Sequence, residues 1–166
     1  MRACDIVMSI PGILLALAII AALGASTINL LIAITISSVP GSVRLVRSTI
    51  LTVVEQDFIE AARSYGSSDM RIITKYILPN AVGPIIVNTT MSIAGMILSA
   101  AGLSFIGMGI QPPQPEWGAM LSEARQYMTT SPYMLYFPGV AIVLTALSLN
   151  LIGDGLRDAL DPKLKD

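Results

Sequence analysis

The sequence predicts an all-α, polytopic membrane protein with about four transmembrane helices, and three observations carry that expectation. Hydrophobic residues make up 54% of the 166 and charged residues only 13%, against roughly a quarter charged in ordinary soluble domains. The charges are segregated, since residues 6–43, 76–115 and 126–153 contain no Asp, Glu, Lys or Arg. Each of these blocks can supply at least one apolar helix of the roughly 20 residues that a bilayer core requires. Residues 1–166 therefore read as one transmembrane domain without internal repeats.

The first uncharged block is interrupted at Gly24-Ala25-Ser26 and has room for two spans in a tight hairpin, about 6–24 and 28–46. A cleaved leader is the alternative reading of the first span, but Asp5 is out of place in a basic leader and Pro11 falls early in the apolar run. A polar loop at 47–80 follows, then a span at about 81–103, a loop at 104–133 and a last span at about 134–153. The 104–133 loop is rich in turn formers, which suits a stiff lip at the membrane surface, with Trp117 as an interfacial anchor. Beyond Gly153 the tail reads as a short amphipathic helix ending before Pro162. Basic residues near span ends stay on the cytoplasmic side. Arg2, Arg44, Arg47, Arg63, Arg71, Lys75, Arg157, Lys163 and Lys165 all fall on one side of this topology, and Arg125 alone falls on the other. Both termini and the 47–80 loop are thus expected in the cytoplasm and the 104–133 loop outside.

Within the cytoplasmic loop, Glu60-Ala61-Ala62-Arg63-Ser64-Tyr65-Gly66 is a polar, helix-forming island, followed by Leu78-Pro79. Glu60, Ala61 and Ala62 favour a helix, and Gly66 can end it in a left-handed turn. Ser67 or Ser68 can cap a second short helix, and Pro79 suits the first turn of the next element. Two small helices joined by a glycine elbow are expected to face water.

In the third span Asn88, Ser92, Gly95, Ser99 and Gly102 recur at intervals of four, three, four and three, making one small, polar stripe. Such spacing reads first as close helix packing. Its second reading is a wall of a translocation path, presenting hydroxyls and an amide to a hydrated solute. Ala141, Thr145 and Ser148 repeat the theme weakly in the fourth span.

Several function classes lack their residues. Apart from Arg44 near the end of the second span, no Asp, Glu, Lys or Arg falls within a span, whereas ion-coupled carriers usually place some there. The only lysines, Lys75, Lys163 and Lys165, lack the glycines and hydroxyl of a nucleotide-phosphate loop. There is no His and one Cys, Cys4, so no catalytic residue, metal site or cofactor is expected, and no nucleic-acid partner either. Energy for uphill transport would have to arrive from another polypeptide.

The island resembles the cytoplasmic Glu-Ala-Ala ("EAA") loop of permease subunits in ATP-binding cassette importers. Gly66 lies four residues after Ala62 and Pro79 thirteen further on, and Tyr76 stands where the pattern usually has Ile, with Ile77 beside it. Four more segments are similar to the second permease of dipeptide, oligopeptide and nickel importers. They are Asp5 with Ser9-Ile10-Pro11, Pro40 with Arg44 and Arg47, Leu103 to Gly118, and Asn150 to Lys163, so the resemblance covers essentially the whole chain. It implies a non-enzymatic subunit, in the cytoplasmic (inner) membrane of a prokaryote, that translocates peptides or a related small solute. The implied partners are a second homologous permease, two ATPase subunits and an extracytoplasmic substrate-binding protein. Contact with the ATPase would fall to Glu60, Ala61, Ala62, Gly66, Leu78 and Pro79. The family has about six spans, so two more are expected ahead of the place matching Asp5, and the chain is expected to begin partway in. The competing expectation is a non-transporting scaffold or assembly protein that binds a cytoplasmic partner through residues 55–80.

Overall fold

The computed structural model describes residues 1–160, and every regular element among them is helical. Helix α1 (Arg2–Met8) and α2 (Gly12–Leu23) meet at 85°. The expected continuous span over 6–24 is therefore a bent pair. Pro11 has no N–H to give the preceding turn and biases Ile10 away from helical geometry, while the Ser9 hydroxyl closes the end of α1 by donating to Ile6 O at 2.7 Å. At 12 residues, α2 is about 18 Å long, short of the ~30 Å hydrocarbon thickness. An ion pair from Arg44 to Asp5, 2.7 Å long, ties α1 to the next helix.

The α2–α3 turn is closed by Gly24, Ser26 and Asn29. Gly24 takes a positive φ of 89°. Ser26 caps α3 (Thr27–Val54) by accepting from Asn29 N–H at 3.1 Å, and the Asn29 side chain donates to Leu23 O and Gly24 O, both at 2.9 Å. Helix α3 continues through Pro40 to Val54, past the expected end at 46, so Arg44 and Arg47 lie on the helix itself.

The expected second short helix turns out to be the opening of a longer one. After α4 (Asp57–Ser64) come α5 (Asp69–Ile72), a π-helical segment (Ile73–Ile77) and α6 (Leu78–Phe105), which together form an unbroken helical stretch of 37 residues. Ser68 occupies the N-cap position of α5, though its side chain makes no capping hydrogen bond. Ser104, expected to begin the external loop, sits in the last turn of α6 and is buried. Gly107 (φ +82°) then ends the helix, its N–H donating to Ser104 O at 2.9 Å and that of Met108 to Leu103 O at 2.9 Å.

Past that turn, Glu116 caps α7 (Trp117–Ala124) by accepting from Ala119 N–H at 2.7 Å. A short 3-10 turn at Arg125–Tyr127 leads towards α8 (Tyr133–Leu160). The Arg125 guanidinium lies 5.2 Å from the Phe105 ring centroid, a cation–π distance. Helix α8 passes Gly153 without a break, so the tail expected as a separate helix is the end of α8, while Pro162, Lys163 and Lys165 lie outside the described residues.

Helix α6 is the central rod, packing on α8, α3 and α7. Two apolar cores form. One joins Ala16 and Ile20 of α2, Leu30, Ala33 and Ile34 of α3, and Leu103 of α6, with Met108 and Ile110 laid over it. The other joins Val53, Ile59, Ala62, Ile72, Ile77 and Ala81. Three helical stretches, Thr27–Val54, Asp69–Phe105 and Tyr133–Leu160, are long and apolar enough to cross a membrane, and the bent α1–α2 pair makes a fourth if counted as one span.

Candidate functional site: an elbow and a cavity on one helix

Helix α4 is amphipathic. Ile59 and Ala62 are buried in the second core, while Glu60, Ala61 and Arg63 face outward. Asp57 and Glu60 in its first turn and Arg63 in its last suit the helix dipole. Its end is closed around Gly66: the Gly66 N–H donates to Arg63 O at 2.9 Å, and the Ser67 N–H to Ala62 O at 3.1 Å. This six-residue closure needs a left-handed residue after the cap, and Gly66 has φ +73°. A Cβ built there would meet nothing within 4 Å. Backbone conformation, not crowding, therefore calls for glycine.

Of the six residues assigned to the elbow, Glu60, Ala61, Gly66, Leu78 and Pro79 are exposed, and Ala62 is not. The small size of Ala62 serves close packing inside the second core. Two large residues that sequence reasoning passed over dominate the outer face, Tyr65 at 90% exposure and Met70 at 70%. The available signal was Tyr65 directly before Gly66 and Met70 four residues after it, two bulky side chains in an otherwise small and polar stretch.

The small, polar stripe of α6 borders a cavity of about 520 Å³ between α2, α3 and α6. Asn88, Ser92, Gly95 and Ser99 line it, and Gly102 does not. A Cβ at Gly95 or Gly102 would meet nothing within 4 Å, so the stripe is not a close helix contact within this chain. Tight contacts lie elsewhere. A Cβ at Gly118 would come 2.1 Å from Ala101 O, and one at Gly153 would come 2.5 Å from Met91 Cγ.

The facing wall comes from α3, with Ser37, Ser38, Gly41 and Ser42, and Gly12 of α2 contributes at the crossing. Sequence reasoning missed these residues. Their signal is a run of small polar side chains around Pro40 at helical spacing. Side chains along the walls are satisfied within their own helices: Ser37 Oγ donates to Ala33 O at 2.7 Å, Ser99 Oγ to Gly95 O at 2.8 Å, and Asn88 Nδ2 to Pro84 O at 2.8 Å. Such satisfaction is what allows polar groups to sit among apolar helices. Among the described residues no charged one lines the cavity, and Ile13, Ile34, Leu45 and Met96 are further lining residues. The lining can hydrogen-bond a neutral or hydrated solute through its hydroxyls and the Asn88 amide.

The two features share one rod. The Asp69–Phe105 helix begins at the elbow, and Asn88 to Ser99 on the same helix form a cavity wall.

Comparison with known proteins agrees with this architecture. Residues 1–166 match the family described as binding-protein-dependent transport system inner membrane component. The chain is 55% identical over 165 residues to the glutathione transport system permease protein GsiD of Escherichia coli O1:K1 / APEC. Proteins of the same name from Shigella flexneri serotype 5b (strain 8401) and Escherichia coli O157:H7 show the same identity. Each alignment covers 99% of this chain and 54% of the relative, so the chain spans about half the length of the curated relatives it matches. With the family matched from the first residue to the last, the chain belongs to the binding-protein-dependent transport system inner membrane components.

Proposed function

We propose that the chain works as a transmembrane permease subunit of an ATP-binding cassette importer, moving a peptide or related small solute across the cytoplasmic membrane on energy from partner ATPases. The observation that carries this reading is the single helix joining a water-facing elbow to a neutral, hydroxyl-lined cavity. A push on the elbow is thereby delivered to the wall of the path. The name of the relatives, glutathione transport system permease protein, supports small peptides of that kind as the solute. A cavity of about 520 Å³ falls within the range of small-molecule sites, ~300–1,000 Å³.

In this mechanism two ATPase subunits close on ATP and press on α4 and the Gly66 turn. Glu60 offers the polar contact, Ala61 permits close approach from outside, and Tyr65 and Met70 add apolar area to the docking face. Ala62 anchors α4 to the core, so that the elbow moves with its helix. Leu78 and Pro79 lie where that motion enters α6. A second homologous permease supplies the opposite half of the pathway, and an extracytoplasmic binding protein delivers solute to the 104–133 side. In this reading the elbow and both termini face the cytoplasm, which the bias of basic residues to that side supports.

Gly66→Val tests the coupling. A β-branched residue at φ +73° costs on the order of 1–3 kcal/mol and deforms the turn. The expected result is at least tenfold less solute uptake per ATP hydrolysed, with ATPase subunits still co-purifying. Uptake at the wild-type ratio would refute the proposed role of the elbow.

A further inference from the structure

The π segment between elbow and α6 is explained by neither Pro79 nor the family assignment. Pro40, Pro84 and Pro138 all sit inside helices with no π turn around them. In the segment the Leu78 N–H reaches back five residues to Ile73 O. On either side of it a side chain helps fill the backbone ladder, with Thr74 Oγ1 donating to Met70 O at 2.8 Å and Asn80 Nδ2 to Tyr76 O at 2.7 Å.

The buried residues explain what the wide turn achieves. Ile72, Ile77 and Ala81 all enter the second core, at spacings of five and then four. In a regular α-helix each residue advances about 100°, so residues five apart point about 140° away from each other. Absorbing one extra residue in the π turn returns Ile72 to the face of Ile77 and Ala81. Directly after Ile72 comes a second isoleucine. Ile72 is 2% exposed and Ile73 is 48% exposed. If the segment tightened to α geometry, Ile73, Ile77 and Ala81 would fall at intervals of four, and Ile73 would take the place of Ile72 with the same side chain buried. The two registers exchange one buried isoleucine for another and differ by about 100° in the orientation of α5 relative to α6, with the Gly66 turn taking up the difference while Ile59 and Ala62 stay in the core.

We propose that Ile73–Ile77 is a two-register joint, with Ile73 as the positioning residue that replaces Ile72 in the core when force on the elbow turns the helix. This rests on the coupling role of the elbow. The joint converts a push on α4 into rotation of the cytoplasmic end of α6.

The test uses the assembled, full-length importer in native membranes, in a Cys4→Ser background. Val53→Cys is paired in turn with Ile72→Cys and Ile73→Cys, and disulfide cross-linking is compared without nucleotide and after trapping with ATP and orthovanadate. Without nucleotide, cross-linking through position 72 is expected to exceed that through 73 severalfold, and trapping should reverse the ratio. Ile73→Asn, a change at a half-exposed position, is expected to lower uptake per ATP about tenfold while ATPase subunits still co-purify. A position-72 cross-link dominant in both states, together with normal uptake in Ile73→Asn, would overturn the joint. Gly66→Val separates the two ideas: if it uncouples while the joint experiments fail, the elbow stands and only the two-register proposal falls.

Discussion

Glycine has two distinct uses in this chain, and they lead to different expectations on substitution. At Gly66 and Gly107 the φ values of +73° and +82° are the requirement, and space is open around both. At Gly118 and Gly153 the requirement is room. A Cβ at Gly118 collides with the backbone of Ala101, which cannot swing away, whereas at Gly153 it meets the flexible Met91 side chain. Gly118→Ala should therefore destabilise by on the order of 1–3 kcal/mol and Gly153→Ala by clearly less. Thermal melting of the solubilised protein checks the order, and equal melting temperatures for the two variants would contradict it. Ser104 is the buried polar counterpart. It is 2% exposed, and its hydroxyl accepts from Ile110 N–H at 3.2 Å. Ser104→Ala removes that acceptor, at a cost of about 1–3 kcal/mol, and is expected to raise amide exchange at Ile110 and Met108; unchanged exchange there would show that the contact does not hold the lip. Gly66 was legible because its glycine follows a short polar helix former by former. Gly118 was not, because its neighbour Ala101 is distant in sequence and only the folded chain brings them together.

At the scale of elements, uncharged blocks announced the long helices but not their continuity. The Asp69–Phe105 rod crosses from polar to apolar sequence with no composition signal at the junction, since helical hydrogen bonding is indifferent to that change. Proline was ambiguous for a related reason. Pro40, Pro84 and Pro138 lie within helices, while Pro11 separates α1 from α2. Helix α1 packs on α3 but has no buried residue, so little burial on its side offsets a proline within a continuous rod, and packing is invisible in a local pattern. The Asp5–Arg44 pair adds to the packing of α1 on α3. Its side chains are 54% and 52% exposed, and such pairs contribute about 0–1 kcal/mol. Asp5→Asn should accordingly shift the melting temperature by no more than about 4 °C, and a larger loss would show that the pair holds α1 more strongly than an exposed ion pair does.

For the whole molecule, the class was readable from charge segregation alone, because a bilayer imposes a length and a polarity on every crossing segment. Large apolar residues such as Ile28, Leu98 and Val143 stand 57–70% exposed on the long helices, as membrane-facing surfaces do. The cavity was only half legible. Its α6 wall stood out as a periodic stripe, but the Ser37–Ser42 wall became visible only when α3 was laid opposite it. What unites the molecule is the rod that starts at the elbow and ends beside the cavity. That arrangement works as a transmission only if the elbow faces the compartment that holds ATP. Tyr65→Cys in a Cys4→Ser background, probed with a membrane-impermeant maleimide, measures this directly. The expected result is rapid labelling in inverted vesicles and none in intact cells; labelling of intact cells from outside would contradict the elbow as the receiver of force.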